Sequence, residues 1–402
     1  MWNQSRSQAP GITVRNRSSA KTLSCNLWLF RAIVLCLSIV LFGCSSSPIA
    51  PVVSVNNFVY TANEAGTVSA LETDAVTGAL ATIAGSPYAA GSGSTAVAAD
   101  PSGKFLYIAN YLSSNISAFT INSSSGALTQ IANSPFAAEL GVDSLVVDSA
   151  GKFLYAVTER SENLWAYSID GAGALSPLSG IPMAIAPSGT QSKAVLLDPS
   201  GKYLFVTNGD SSSAYIYGFS RNVTSGALTS LAGFPVSVDG LGNETAFNPA
   251  GQFLLVTGTS VFGTAGGVTV FSLSPSTGAI TKVGSAVQAG IDPNAVVVDS
   301  SGKFVFIPNT GDATISAFTL DATGGLTAVP GSPFPSGGLG SVNGPLGIST
   351  DAVGQFVYVC NASNDISVFS INTSSGALTP IKGSPFPDGG NAPSAIIFVQ
   401  KP

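Results

Sequence analysis

Asp100-Pro101-Ser102-Gly103-Lys104-Phe105-Leu106-Tyr107-Ile108-Ala109-Asn110 is the unit that organises this chain, because it returns in order all the way to the C-terminus. Its first half is turn chemistry: Asp caps, Pro presets φ, and Gly takes the positive φ that closes a hairpin. Its second half is an apolar run that ends at Asn. The turn recurs at 148–152, 198–202, 248–252, 299–303 and 351–355, and each copy opens an apolar run with an aromatic residue: Phe105, Phe153, Tyr203, Phe253, Phe304 and Phe356. A seventh run, Phe58-Val59-Tyr60-Thr61-Ala62-Asn63, stands ahead of them without its turn.

Successive runs start 47, 48, 50, 50, 51 and 52 residues apart. A period near fifty that holds only short strands is the signature of a β-propeller with one sheet per repeat. Four strands fit in each repeat, A to D from the centre outward. Strand A precedes the turn: Thr95 to Ala99, Ser144 to Val147, Ala194 to Leu197, Glu244 to Phe247, Ala295 to Val298, Gly347 to Thr350 and Ala395 to Phe398. These runs are largely apolar on both faces, as a strand buried between neighbouring sheets should be. Strand B ends at Asn, strand C ends in an aromatic in most repeats, and strand D follows Ser-Gly-Ala-Leu-Thr. Ser-Pro-Phe or Ser-Pro-Tyr, at Ser86, Ser134, Ser332 and Ser384, lies between D and the next A, with its aromatic expected as a plug between blades. The first B strand has no A before it, and the last A strand has no B after it. They are expected to pair, so that an all-β ring of seven four-stranded antiparallel blades, residues 58–402, closes without an open edge.

Residues 1–43 read as a secretion signal. Positions 1–31 carry five Arg or Lys and no acid, and run into an apolar stretch at Ala32 to Phe42 that is too short to span a bilayer as a permanent helix, which needs about 20 residues. Leu41-Phe42-Gly43-Cys44 resembles the bacterial lipobox, which makes Cys44 the expected lipidation site and 44–57 a Ser/Pro-rich tether. An ordinary cleaved signal and an uncleaved anchor remain open, and all three place the rest of the chain outside the cytoplasm, in the periplasm or on the outer surface. From Cys44 onward the formal charge is −11, which argues against nucleic acid as a partner. Cys25 and Cys36 fall in the signal, so Cys360 is the one thiol left besides Cys44 and no disulfide framework exists. Cys360 stands where other repeats hold Ala62, Ala109 and Thr207, and is expected as a small packed residue.

The repeat, with strand C and Ser-Gly-Ala-Leu-Thr behind it, resembles the seven-bladed lactonase family that includes 6-phosphogluconolactonase and muconate-cyclising enzymes. It is also similar to the Tyr-Val-Thr-Asn repeat propellers of cell surfaces, as in Leu204-Phe205-Val206-Thr207-Asn208. The first resemblance implies lactone hydrolysis. Enzymes of that family carry Pro-Arg-His at the start of certain A strands and Asn-Glu at the end of certain B strands. Here the first motif reads Pro293-Asn294-Ala295, Pro345-Leu346-Gly347 and Pro393-Ser394-Ala395, and the chain has no His. The second survives as Asn63-Glu64, with Thr158-Glu159 a partial match.

On the face where B–C and D–A loops converge, the aligned series Thr95, Asp143, Lys193, Asn243, Asn294, Leu346 and Ser394 comes nearest the channel, with Glu244 one step further in. Lys193 is the candidate oxyanion stabiliser, and Glu64 or Glu244 the candidate general base. Asp143, Asn243, Asn294 and Ser394 are candidate ligand-binding residues. No nucleophile elbow, metal-ligand cluster or phosphate-cradling loop is present in the sequence, so neither metal nor cofactor is expected. Two readings follow. One is a membrane-tethered, monomeric binding module for a protein or glycan, favoured on the expectation that a carboxylate in an open, wet channel keeps a pKa near 4 and is a weak base. The other is a lactone hydrolase working without His.

Overall fold

The computed structural model describes residues 57–185, 190–209, 213–259, 264–337 and 344–401. The signal, Cys44 and all of the tether but Asn57 lie outside them. Each repeat forms one antiparallel sheet. In the second, strand A (Ser94–Ala99), B (Phe105–Asn110), C (Asn115–Ile121) and D (Leu128–Gln130) pair in that order. The turn works as its sequence says. Asp100 Oδ1 accepts the backbone N–H of Lys104 at 2.7 Å and of Phe105 at 2.6 Å, while Gly103 sits at φ 66°. Asp148, Asp198, Asn248, Asp299 and Asp351 repeat the bond to the aromatic that opens strand B. At the far end of that strand, buried Asn110 donates to Ser117 Oγ at 2.9 Å and accepts from the N–H of Gly91 at 3.1 Å, so it joins strand C to the incoming loop.

Seven such sheets surround one axis. Pro393–Val399 is the A strand of the first blade and pairs with Asn57–Asn63, Tyr60 standing opposite Ile397. It also lies against the A strands on either side, Pro345–Thr350 and Ser94–Ala99, which completes the ring. The apolar core is divided the same way, into seven clusters that each fill one space between adjacent blades. One contact recurs at every such interface. The aromatic that opens strand B presses on the glycine of the neighbouring blade's C–D turn. A Cβ on Gly126 would come within 2.5 Å of the Phe58 ring, and one on Gly78 within 2.6 Å of Phe356, the latter across the seam where the ring closes.

The outer strand differs from the expected single strand D. Six blades add a two- or three-residue fifth segment, such as Phe136–Ala137, that pairs with the upper half of strand C. The Ser-Pro step divides D in two, and the Ser hydroxyl takes over the acceptor role of the interrupted ladder: Ser86, Ser134, Ser332 and Ser384 Oγ accept from Ala70, Ala118, Ala317 and Val368 N–H at 2.8–2.9 Å. The fifth blade lacks that proline, and its D strand runs unbroken over Ile280–Ile291. The aromatics that follow, among them Tyr88 and Phe386, pack against the inter-blade clusters as expected of plugs.

Two buried residues are settled, Arg221 on the side of the ring away from the B–C loops and Cys360 near the B–C end of its strand. Arg221 ends strand C of the fourth blade (Ala214–Arg221), and its buried guanidinium pairs with Asp148 and donates to Tyr155 Oη and Gly201 O, both at 2.8 Å. Cys360 is fully buried, and burial pushes its thiol up to about 12, so it is a packed residue with no thiolate at neutral pH.

Deleting residues 393–402 should expose the edge of Asn57–Asn63 and remove buried Ile396 and Val399, which alone contribute about 3 kcal/mol or more. The expected result in thermal unfolding and light scattering is a markedly lower midpoint or aggregation. An unchanged midpoint would refute the clasp.

Candidate active site

The aligned series at the channel mouth is a series of β-bulges. In five inner strands the pairing with strand B skips one residue, and the skipped residues are Thr95, Asp143, Lys193, Leu346 and Ser394. Asn243 and Asn294 occupy the same level, their N–H groups bonding to Thr257 O at 2.7 Å and Pro308 O at 3.1 Å. A bulge turns its extra residue out of the ladder, here toward the axis, which is how propellers and barrels aim side chains at a site. The next residue inward is small in six blades: Ala96, Ser144, Ala194, Ala295, Gly347 and Ala395. The fit is close enough that a Cβ on Gly347 would stand 3.0 Å from Ala395 Cα and from Cys360 Sγ. The seventh position is Glu244. By register this is the level at which the family resemblance calls for His, so a carboxylate reaches the axis where the sequence shows only Ala295, Gly347 and Ala395 in its three Pro-X-X motifs.

Glu244 borders a central cavity of about 320 Å³ together with Thr95, Ser144, Asn294 and Ser394. That volume is at the low end of the ~300–1,000 Å³ typical of small-molecule sites. A wider groove of about 570 Å³ lies on the opposite face between blades 2 and 3, but turn residues such as Asp100, already bonded to the backbone, line it.

Two carboxylates are strongly perturbed here. Burial pushes Glu244 up to about 7, the charge of Asp143 adds to the shift, and the N–H of Thr245 and the Lys193 ammonium oppose it. Burial likewise pushes Asp143 up to about 7, with Lys193 opposing and Glu159 adding. The expectation of an ordinary carboxylate in a wet channel is therefore revised: the packed inner strands push both groups up toward neutrality, although both are only half-buried and Glu244 borders the cavity.

Above them Lys193 forms an ion pair with Glu159, the first turn residue after strand B of the third blade (Phe153–Thr158). The same Glu159 carboxylate accepts the hydroxyl of Tyr111, and Arg160 Nε donates to Tyr111 Oη at 3.1 Å with its guanidinium 5.1 Å from the ring centre. Sequence reasoning missed Tyr111 and noted Glu159 only as a partial match, although the Thr158-Glu159 motif was the available signal. Of the other candidates, Asn294 and Ser394 line the cavity, while Asn243 does not, and the side chains of Asn243 and Ser394 are bonded to the frame. Asn243 Nδ2 donates to Pro293 O at 3.2 Å, and Ser394 Oγ to Ser94 O at 2.7 Å and Ala62 O at 3.1 Å. Glu64 is exposed at the rim, its backbone tied to Ala392 and Gly93, and it is not brought to the carboxylate pair.

The comparisons with known proteins can be set beside this geometry. The sequence matches the family described as lactonase, seven-bladed β-propeller, over residues 51–183, 144–241, 243–332 and 295–390. No curated protein matches the chain in sequence. Among solved structures, a Bacteroides fragilis protein assigned as a 6-phosphogluconolactonase aligns with TM-score 0.70 at 20% identity, covering 86% of this chain and 98% of its own. The periplasmic gluconolactonase of Pseudomonas aeruginosa aligns with TM-score 0.68 at 17% identity, covering 86% and 100%. A Lactobacillus plantarum protein does so with TM-score 0.68 at 17%, covering 86% and 99%. At these identities the structural likeness speaks for the fold.

The raised carboxylates leave a mark on stability. A group whose folded pKa, about 7, exceeds its unfolded value of about 4 binds more protons when folded, so stability is lost as pH rises through that window. Glu244→Gln should accordingly raise the thermal midpoint at pH 8 and leave it nearly unchanged at pH 4. Equal shifts at both pH values would show that Glu244 is not buried as a titrating acid.

Proposed function

The chain belongs to the seven-bladed β-propeller lactonase family, and on that footing we propose that it hydrolyses lactones with a carboxylate pair in place of imidazole. The observation that carries the reading is the pair itself: Asp143 and Glu244, both raised to about 7, feel each other's charge and that of Lys193, and Glu244 borders a cavity of small-molecule size. A base is most effective when its pKa lies near the working pH. That supports catalysis over the simple binding module, whose main argument was a carboxylate too weak to act.

In this reading the ionised carboxyl of Glu244 takes a proton from water as the water oxygen attacks the lactone carbonyl. The Lys193 ammonium stabilises the oxyanion that forms. Collapse of the tetrahedral intermediate breaks the ring C–O bond, and the departing oxygen takes the proton held by Asp143. The product is the open hydroxy acid, and the two carboxyl groups exchange one proton to restore the resting state. Water is the only co-reactant.

The purified protein should hydrolyse δ-lactones such as glucono-1,5-lactone faster than buffer does, with a bell-shaped kcat/KM profile centred near pH 7, because Glu244 must be ionised while Asp143 keeps its proton. Glu244→Gln should lower kcat about 100- to 10,000-fold. Turnover no faster than buffer, or full activity in Glu244→Gln, would restore the binding-module reading.

We also propose that the protein is lipid-anchored outside the cytoplasm through Cys44. Support comes from the apolar run ending in Gly43-Cys44-Ser45 and from the periplasmic location of the Pseudomonas gluconolactonase. Cys44→Ser should release the protein from membranes or block its processing. A variant that stays membrane-bound at normal mass would exclude lipidation at this residue.

A further inference from the structure

We infer that the channel selects uncharged polyhydroxylated lactones and rejects their phosphorylated counterparts, an inference that names the substrate class of the hydrolase proposed above. Its basis is where the positive charge goes. From residue 57 onward the sequence holds ten Lys and Arg. The turn lysines and Lys401 sit at the A–B end of the strands, opposite the mouth. Arg221 is buried on Asp148, Lys282 pairs with Asp239, and exposed Lys382 lies in the break of an outer strand. Two cations remain at the mouth, one paired with an acid and the other bonded to a tyrosine hydroxyl. Lys193 pairs with Glu159, and Arg160 lies over Tyr111, whose hydroxyl is bonded to that same carboxylate.

Negative charge is abundant by contrast. Among the described residues, Glu64, Glu139, Glu162 and Asp312 stand in the loops of the mouth, and Asp143 and Glu244 lie inside it. A phosphate brings a further charge of about −2 and three acceptor oxygens that need donors. It would meet like charge in a partly dehydrated site, where the cation nearest the carboxylates, Lys193, is already paired with Glu159 and Arg160 is bonded to Tyr111. A neutral polyol has hydroxyl protons to donate, and the carboxylates of Asp143 and Glu244, the carbonyl of Asn294 and the hydroxyl of Thr95 can accept them. The Glu159 clamp is thus a device for specificity. It keeps Lys193 close enough to steady an oxyanion while cancelling the charge that would draw an anion in.

The test compares glucono-1,5-lactone with its 6-phosphate as substrates, and glucono-1,5-lactam with its 6-phosphate as ligands in calorimetry, at matched ionic strength. The neutral member of each pair should be favoured by about 10-fold or more. Glu159→Gln, which frees Lys193, should narrow the gap. If that variant does not fold, raising the salt concentration in the unaltered protein should narrow it as well, by screening. Equal or better use of the phosphorylated member, or binding of neither lactam, would overturn the inference. Neutral-selective lactam binding without turnover of either lactone would support charge selection while removing the hydrolase reading.

Discussion

Seven sheets that meet at one axis have almost no room for side chains where they meet, and most of this molecule follows from that crowding. The innermost strands can carry only Ala, Gly or Ser at the level just inside the bulges. Gly347 shows how tight the limit is, since even a methyl group there would touch Ala395 and Cys360. A Glu at such a level in one blade is accommodated because the other six leave it space. The small ring is therefore at once the condition for closing the propeller and the vessel for Glu244.

The same crowding sets the chemistry. Inner strands pressed together exclude water, and burial is the first cause of the shift at both Glu244 and Asp143. Placing two acids in one dehydrated space is unfavourable to folding above their unfolded pKa. It persists because seven inter-blade cores and a closed hydrogen-bond ladder hold the ring regardless. Strain of this kind, concentrated at one level of an otherwise consistent structure, is where function is expected.

The sequence was legible wherever a signal is local. Asp100 and Gly103 announce their turn, Asn110 its strand end, and the unmatched Phe58 and Ala395 runs announce the clasp. Tertiary partners were less legible. Nothing in Ser-Gly-Ala-Leu says that its glycine receives the aromatic of the preceding blade, since Phe58 and Gly126 lie 68 positions apart. The broken outer strand was hidden because Ser134 replaces a ladder carbonyl with a side chain, which no period-two pattern records. At the site, the bulge positions aligned correctly from sequence, but alignment does not distinguish a residue that lines the cavity, as Asn294 does, from one bonded only to the frame, as Asn243 is.

The largest gap between sequence and site was electrostatic. A carboxylate's strength as a base depends on how much water reaches it, and that is a property of the whole ring. Residue type alone gives Glu a pKa near 4 and makes the absence of His look decisive. Register removes that appearance, because Glu244 stands at the level of the imidazole position, one blade away from Ala295, the first of the three Pro-X-X positions where sequence looked for it. What a base must do in this fold is reach the axis from an inner strand and be dry enough to hold a proton near neutrality. Both requirements are met by the backbone, through an inner-strand position and small neighbours that leave it space and limit water, so the family's site can change its chemical group while keeping its place.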